Sequence, residues 1–511
     1  MTRLALLVPL IVAAALRLFR VGMPALTSDE SFSWRLVGSP LPEMLRRAAL
    51  DVHPPLYYFA LDAWVRVWGT SPLALRGLSA LLGVLAVAMA YALCVEASRF
   101  DGDGLAATRA RSGALLAAVL IAIQAAPIAH GRNARMYALA ILLGGASSWL
   151  LLRALRGDAG QRRWWVAYGI AVAAFCATHY YALFTVAAQA LFVTTLSRAR
   201  PDAKAARRRF AAALVLAGAL FSPWVPVLAR QAEQVRQTYW IPAPTLPSLG
   251  LSLVQWAAGA ELDVAAPLPW LIVLALVLGW GWRRGGPGAR HLLLQALLPW
   301  AFALAISLLG GRPIVLERYM AFGQFFLICA WGVLWTRLPT PAARGLFAGA
   351  LVALSAAGLF AGWGARYPDR PTAFWFTARY LKRQAGPGDV VIARSPRALN
   401  KLRYYAEQVG AAGLDVRYAA AGAASDDHFS HLPSLEDREV LRTDPFLDKA
   451  PRTIWRLEDT RTAPEPAPPG WEMTHARMFD GGDAPVILVA GYAPTPVAAP
   501  VPPGAPDRRP R

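Results

Sequence analysis

The feature that most constrains this chain is its succession of long apolar stretches, about eleven of which approach the ~20 residues a helix needs to cross ~30 Å of hydrocarbon. They fall at residues 4–19, 72–95, 113–129, 136–152, 164–177, 182–196, 210–228, 267–282, 292–309, 320–335 and 346–363. Inside a bilayer each backbone N–H and C=O must be satisfied within its own segment, so such a chain is committed to helices. Its 56% hydrophobic and 16% charged residues exceed the balance of a soluble globular chain. The reading is a mostly α, polytopic integral membrane protein. The first stretch resembles a signal peptide, but no small-residue cleavage site follows and Arg17 and Arg20 stand at its far end, so it is expected to be retained.

Arginine placement gives the orientation, because short loops rich in Lys and Arg stay in the cytoplasm. Loops 99–111, 153–163, 198–209, 283–290 and 337–344 qualify and alternate correctly. The amino terminus is then inside, and the loop at residues 20–71 and everything after Trp363 face outward, from an inner (cytoplasmic) membrane. Much of the +20 net charge is therefore topological, and no nucleic-acid motif accompanies it. Cys94, Cys176 and Cys329 all lie in or beside predicted spans, which argues against a disulfide framework or a cysteine metal site and for packing.

The outward loops carry the chemistry. Ionisable groups beside several spans are costly to desolvate and mark a functional site by default. The first loop has Asp29-Glu30, then Asp51-Val52-His53-Pro54-Pro55-Leu56-Tyr57-Tyr58, with interfacial helices expected at residues 43–49 and 56–68. The second is His130-Gly131-Arg132-Asn133-Ala134-Arg135, ahead of Tyr137; the third is Thr178-His179-Tyr180-Tyr181. The fourth, from Arg230 to about Gly250, holds Gln231, Gln234, Tyr239, Trp240, Pro242 and Pro244; the fifth holds Arg312, Glu317, Arg318 and Tyr319. Beyond Trp363 the chain loses its span-length apolar runs, and a small extracytoplasmic α/β domain is expected over 364–493, with helices at 372–383 and 397–408 and strands at 389–393, 414–419, 452–457 and 485–492. A tail rich in Pro, Ala and Arg, 494–511, is expected to be disordered. The membrane domain is 1–363.

In matching order, Asp29-Glu30, Asp51 to Tyr58, Gly69 with Arg76, Asn133-Ala134-Arg135-Met136-Tyr137, Ser222-Pro223-Trp224-Val225-Pro226 and Arg318-Tyr319 resemble the bacterial family 39 glycosyltransferases, relatives of the protein O-mannosyltransferases and of the lipid A aminoarabinose transferase. The resemblance implies a GT-C fold and transfer of a sugar, with inversion, from a polyprenyl phosphate to an extracytoplasmic hydroxyl or amine on a lipid, protein or glycan. It puts catalysis on Asp29, with Glu30 beside it. The family usually has a glutamate where this chain has Asn133, so no metal site is carried over and no cofactor is predicted; metal dependence stays open.

The residues agree chemically. An attacking hydroxyl needs a carboxylate to take its proton, a role for Asp29 supported by Glu30. An ionised phosphate leaves without an acid but needs cations, for which Arg132, Arg135 and Arg318 are available on the same side. His53, His179, Tyr57, Tyr137, Tyr180 and Tyr319 are candidate substrate contacts. Each has a plainer reading: a helix cap for Ser28 and the acid pair, an interfacial belt for the aromatic residues, headgroup anchors for the arginines. A multi-span transporter and a non-catalytic membrane scaffold with an outward binding domain are the rival classes. A transporter is expected to place ionisable groups at mid-membrane in two related halves, and this chain does neither.

Overall fold

The structure, a computed structural model, describes residues 2–102, 106–157, 161–195, 202–237, 241, 245–260, 267–309, 313–419, 439–441, 453–459, 466–480 and 486–495. Tyr239, Trp240, Pro242, Pro244, Arg312 and the tail from residue 496 lie outside them. The chain forms two compact units, Met1–Asp369 and a second one built from the described residues from Arg370 on.

The first unit is helical. Its elements are α1 (Thr2–Leu18), α2 (Ser28–Leu36), α3 (Leu41–Leu50), α4 (Leu56–Trp68), α5 (Pro72–Asp101), α6 (Ala107–Ile123), α7 (Ala125–Gly131), α8 (Tyr137–Arg156) and α9 (Gln161–Cys176). They continue as α10 (Ala182–Thr195), α11 (Ala203–Phe221), α12 (Val225–Gln237), α13 (Leu246–Ala258), α14 (Leu268–Arg284), α15 (Pro287–Leu309), α16 (Ala321–Trp335), α17 (Pro341–Ala361) and α18 (Trp363–Arg366). Every apolar stretch of the sequence is helical. Among the described residues five helical segments are long and apolar enough to cross a membrane: α5, α8, Ala203–Gln234, α15 and α17. The pair α6–α7, bent by 64°, makes a sixth. Others, such as α1 and α10, are apolar but shorter, because a helix rises only ~1.5 Å per residue.

The core lies where α5, α6, α8, α15 and α16 meet, with α16 buried along nearly its whole length. Small residues permit the closest approach: α6 and α16 pass so near at Gly113 and Gly332 that neither position has room for a side chain. Polar side chains inside the unit satisfy one another, as where Ser148 and Gln189 both donate to Gln295 Oε1 at 2.8 and 3.1 Å.

The bend between α6 and α7 positions the site. It frees carbonyls at the end of α6, and wholly buried Arg17 of α1 donates to Ile121 and Ala122 of α6 and Pro127 of α7 at 3.1–3.3 Å. At the start of α7, Ala126 N donates to Gly259 O at 2.9 Å. So held, α7 delivers His130 to Arg135 to one end of the unit.

The second unit is a six-stranded sheet with α19 (Ala373–Gln384) and α20 (Pro396–Gln408). Its strands are β1 (Val390–Ala393), β2 (Asp415–Ala419), β3 (Val440–Leu441), β4 (Ile454–Asp459), β5 (Trp471–Phe479) and β6 (Ile487–Pro494), in the order β3-β2-β1-β4-β6-β5. β1 to β4 are parallel, and β6 and β5 add antiparallel neighbours. The three cysteines are free and buried.

Candidate active site

Thr27 caps α2, its hydroxyl accepting from Glu30 N at 3.2 Å while Thr27 N donates to Glu30 Oε2 at 2.9 Å. The same carboxylate takes two bonds of 2.7 Å from Arg76 and one of 2.9 Å from Ala134 N. Arg76 also donates to Val21, Pro24 and Ala25 carbonyls at 2.6–3.1 Å. Burial pushes the Glu30 carboxyl up, but Arg76 and the two N–H donors outweigh it and hold it below the usual carboxylate range. One buried ion pair thus ties together the first loop, α5 and the loop after α7. Glu30 holds the frame.

Asp29, one residue earlier, has a different environment. Its side chain is 32% exposed, and Arg318 Nη1, on a side chain 41% exposed, stands 3.8 Å from Oδ2. Behind it lies a network in which buried Asp51 accepts from Tyr58 OH at 3.1 Å and lies 3.0 Å from His53 Nδ1. The shorter contact assigns the Nδ1 proton to the bond with Asp51, and Arg135 Nη2 stands 3.3 Å from the same nitrogen. Arg135 also donates to Tyr58 OH at 3.0 Å and to Asp29 O at 3.3 Å. Burial pushes the Asp51 carboxyl up, yet His53 and Arg135 prevail and leave it lowered.

His179 sits among rings: Tyr319 at 5.3 Å, Tyr181 at 5.4 Å, Tyr137 at 6.0 Å and His53 at 6.4 Å. Tyr181 N donates to its Nδ1 at 3.2 Å, which puts the ring proton on Nε2, a buried atom with no hydrogen-bond partner. Burial first, then the charges of His53, Arg135 and Arg318, depress its pKa well below 6.5, so the ring is a neutral donor at physiological pH.

Asp29, His53, Arg135, Tyr137, His179, Arg318 and Tyr319 therefore come together. Four candidates stand apart from this cluster. Tyr57 is buried, its OH 2.9 Å from Ser79 Oγ. Tyr180 donates to Gln231 Oε1 and accepts from Trp224 Nε1 at 2.9 Å, fastening the fourth loop. Arg132, expected at the lipid phosphate, directs its guanidinium to the carbonyls of Leu16, Arg17, Phe19, Arg20 and Arg366 at 2.7–3.4 Å and lies over the Tyr367 ring at 4.4 Å. Glu30, expected beside the base, acts through the backbone it clamps.

A cavity of about 470 Å³ opens between α7, α13 and α16, with Glu30 and Arg318, the partner of Asp29, in its wall. Its wall includes His130, Asn133, Gln255, Trp256, Glu317, Arg318 and Gln324. The sequence reading overlooked Gln255, Trp256 and Gln324. Gln324 was detectable as an amide in an otherwise apolar run, and Gln255 follows a capping box, Thr245 to Ser248, that starts α13. Among the described residues no group of three or more His, Cys, Asp or Glu side chains is arranged to hold a metal.

No family model and no curated protein matches the chain. Solved structures do: ArnT from Cupriavidus metallidurans, in the apo state and bound to undecaprenyl phosphate, has a TM-score of 0.62 at 12% identity, covering 95% of this chain and 97% of that one. The apo oligosaccharyltransferase of Archaeoglobus fulgidus has a TM-score of 0.51 at 12% identity, over 90% of this chain and 69% of the other. The fold is that of the GT-C glycosyltransferases, as the motif resemblance implied.

Proposed function

We propose that this protein is a membrane glycosyltransferase that moves a sugar from a polyprenyl phosphate to an acceptor hydroxyl or amine, with Asp29 as the general base. The observation that carries the reading is the half-open carboxylate of Asp29, 3.8 Å from Arg318, which lines a cavity, and one residue before the buried Glu30–Arg76 pair. The GT-C fold supports it, and the similar ArnT structure is one bound to undecaprenyl phosphate.

In the proposed step the acceptor oxygen attacks the anomeric carbon as its proton passes to Asp29. The bond from that carbon to the phosphate oxygen breaks, and the configuration inverts. The electron pair leaves on the phosphate, already ionised, which needs positive charge and donors rather than an acid. Arg318 is exposed enough to reach it, and His179 Nε2–H and the Tyr319 hydroxyl supply neutral donors. Arg135 is a positioning residue for Asp29 and His53, and Arg132 keeps α1 in register with α7. The mouth faces away from the cytoplasm, as the arginine-rich loops require.

Purified protein incubated with a panel of polyprenyl-phosphate hexoses and pentoses and membrane acceptors tests the reading by mass spectrometry. Transfer by the native chain, lost in Asp29→Asn at unchanged folded yield, supports it; equal transfer by both sinks it.

A further inference from the structure

Where the arginine-rich loops 99–111 and 153–163 meet the helices, guanidiniums converge from α5, α8 and α9. Buried Glu96 of α5 faces Arg156 Nη1 at 2.8 Å, Arg153 Nη1 at 3.5 Å and Arg99 Nη1 at 3.9 Å. Arg153 also lies over the Trp164 ring at 5.2 Å, and Arg163 lies over the same ring at 4.8 Å. Trp149 closes the cluster, its ring 5.7 Å from that of Trp164 and 5.7 Å from the Arg153 guanidinium.

The charges do not balance. One buried carboxylate is shared by Arg99, Arg153 and Arg156, and among the described residues no salt bridge reaches Arg163. The other acid at this end of α5, Asp101, is taken by Arg337 and by Gly288 N. Two cations on one indole repel each other unless an anion joins them. Fork-shaped guanidiniums match a phosphodiester, and α9 starts at Gln161, so the positive end of its dipole lies at the same place.

The surroundings select a lipid over a soluble anion. Val166 and Ile170 follow Arg163 on one face of α9 at helical spacing, and both are exposed, at 43% and 52%. Tryptophans flanking arginines are the side chains that sit at headgroup level. A headgroup on the arginines would place an acyl chain along that apolar stripe, which a free phosphate would leave uncovered.

We propose that Arg153, Arg163 and Trp164 form a binding site for the phosphodiester of an anionic phospholipid, with an acyl chain along Val166 and Ile170. The site is at the opposite end of α5 from the Glu30–Arg76 pair and is independent of the glycosyltransferase reading.

The test uses the full-length chain in detergent micelles, titrated with phosphatidylglycerol, with phosphatidylcholine of the same acyl chains and, separately, with inorganic phosphate. Bound lipid is counted by native mass spectrometry, and melting temperature is read alongside. The variants are Arg153→Gln with Arg163→Gln, Arg163→Glu alone, and a control that removes two exposed arginines from α14, Arg283→Gln with Arg284→Gln. Arg163 is in the first turn of α9, where an acidic side chain suits the helix dipole, so its reversal leaves the fold intact even if the double variant melts early. The native chain is expected to prefer phosphatidylglycerol, and both cluster variants to lose about tenfold or more of that affinity, at about fivefold per arginine. The α14 control should bind as the native chain does. Equal retention of both lipids by the native chain, an equal loss in the control, unchanged binding by Arg163→Glu, or as large a rise in melting temperature with inorganic phosphate as with the lipid overturns the site.

Discussion

At its C-terminal end α5 carries Glu96 and Asp101, both enclosed by arginines: Arg156 lies 2.8 Å from Glu96, Arg337 lies 2.5 Å from Asp101, and Gly288 N donates to Asp101 at 2.6 Å. At its N-terminal end Arg76 clasps Glu30 just as tightly, at 2.7 Å with both side chains 3% exposed or less. The neighbouring pair breaks the pattern. Asp29 and Arg318 are 3.8 Å apart, with 32% and 41% of their side chains exposed. Short, dry pairs hold helices together, whereas a long, wet pair next to a cavity leaves both charges able to exchange partners with a substrate. Closed pairs thus fasten both ends of α5, and the open pair lies beside the N-terminal one.

The largest way to break this comparison is Arg76→Met, which strands the Glu30 carboxylate in the interior. About 3–5 kcal/mol of destabilisation is expected, read as loss of monodisperse protein in detergent; a normal melting temperature would deny Glu30 its framework role. Next comes Arg318→Gln, which removes the proposed phosphate contact and leaves folding intact. Turnover is expected to fall about 10²-fold, with a melting temperature within error of the native protein's; a large drop in that temperature would reassign Arg318 to the frame.

The helical fold and the seven residues of the cluster that includes Asp29 were legible in the sequence, because apolar runs and loop motifs are local signals. What pairs with what was not legible. Glu30 and Asp29 are adjacent acids in the chain, and only the fold turns one toward Arg76 and the other toward Arg318. Similarly, Arg132 reads as a free loop cation until the end of α1 is seen beneath it. The first turns of α13, residues 246–250, fall within the expected fourth loop, because Pro247 reads as loop punctuation, yet at a helix start its missing N–H costs nothing. Strand β5 escaped because its face is exposed from Glu472 to Met478, with no alternation to betray it.

A third prediction sharpens the comparison through pH. Glu30 and His179 both have pKa values below their ordinary 4.5 and 6.5, so the unfolded chain binds protons that the folded one does not. Stability is then complete above about pH 6.5, begins to fall as His179 is forced toward protonation, and falls again below 4.5 as Glu30 approaches its depressed value. Melting temperatures should hold level from pH 8 to about 6.5 and descend from there to pH 4; a rise on acidification would contradict the assignment. The smallest effect is at the closed end of α5: Arg153→Gln should cost less than about 1 kcal/mol, because the side chain is partly exposed and Arg156 still pairs with Glu96. A larger loss in the same melting assay would show that cluster to be less redundant than its geometry implies.

Asp29→Asn and Glu30→Gln, assayed side by side for glycosyl transfer and for melting temperature, probe the account most directly. Asp29→Asn should lose about 10²–10⁴-fold in turnover and keep its melting temperature, whereas Glu30→Gln should lose melting temperature first. If Asp29→Asn turns over like the native chain, or if the two variants fail in the same way, the division between the carboxylate that reacts and the one that holds the frame is wrong.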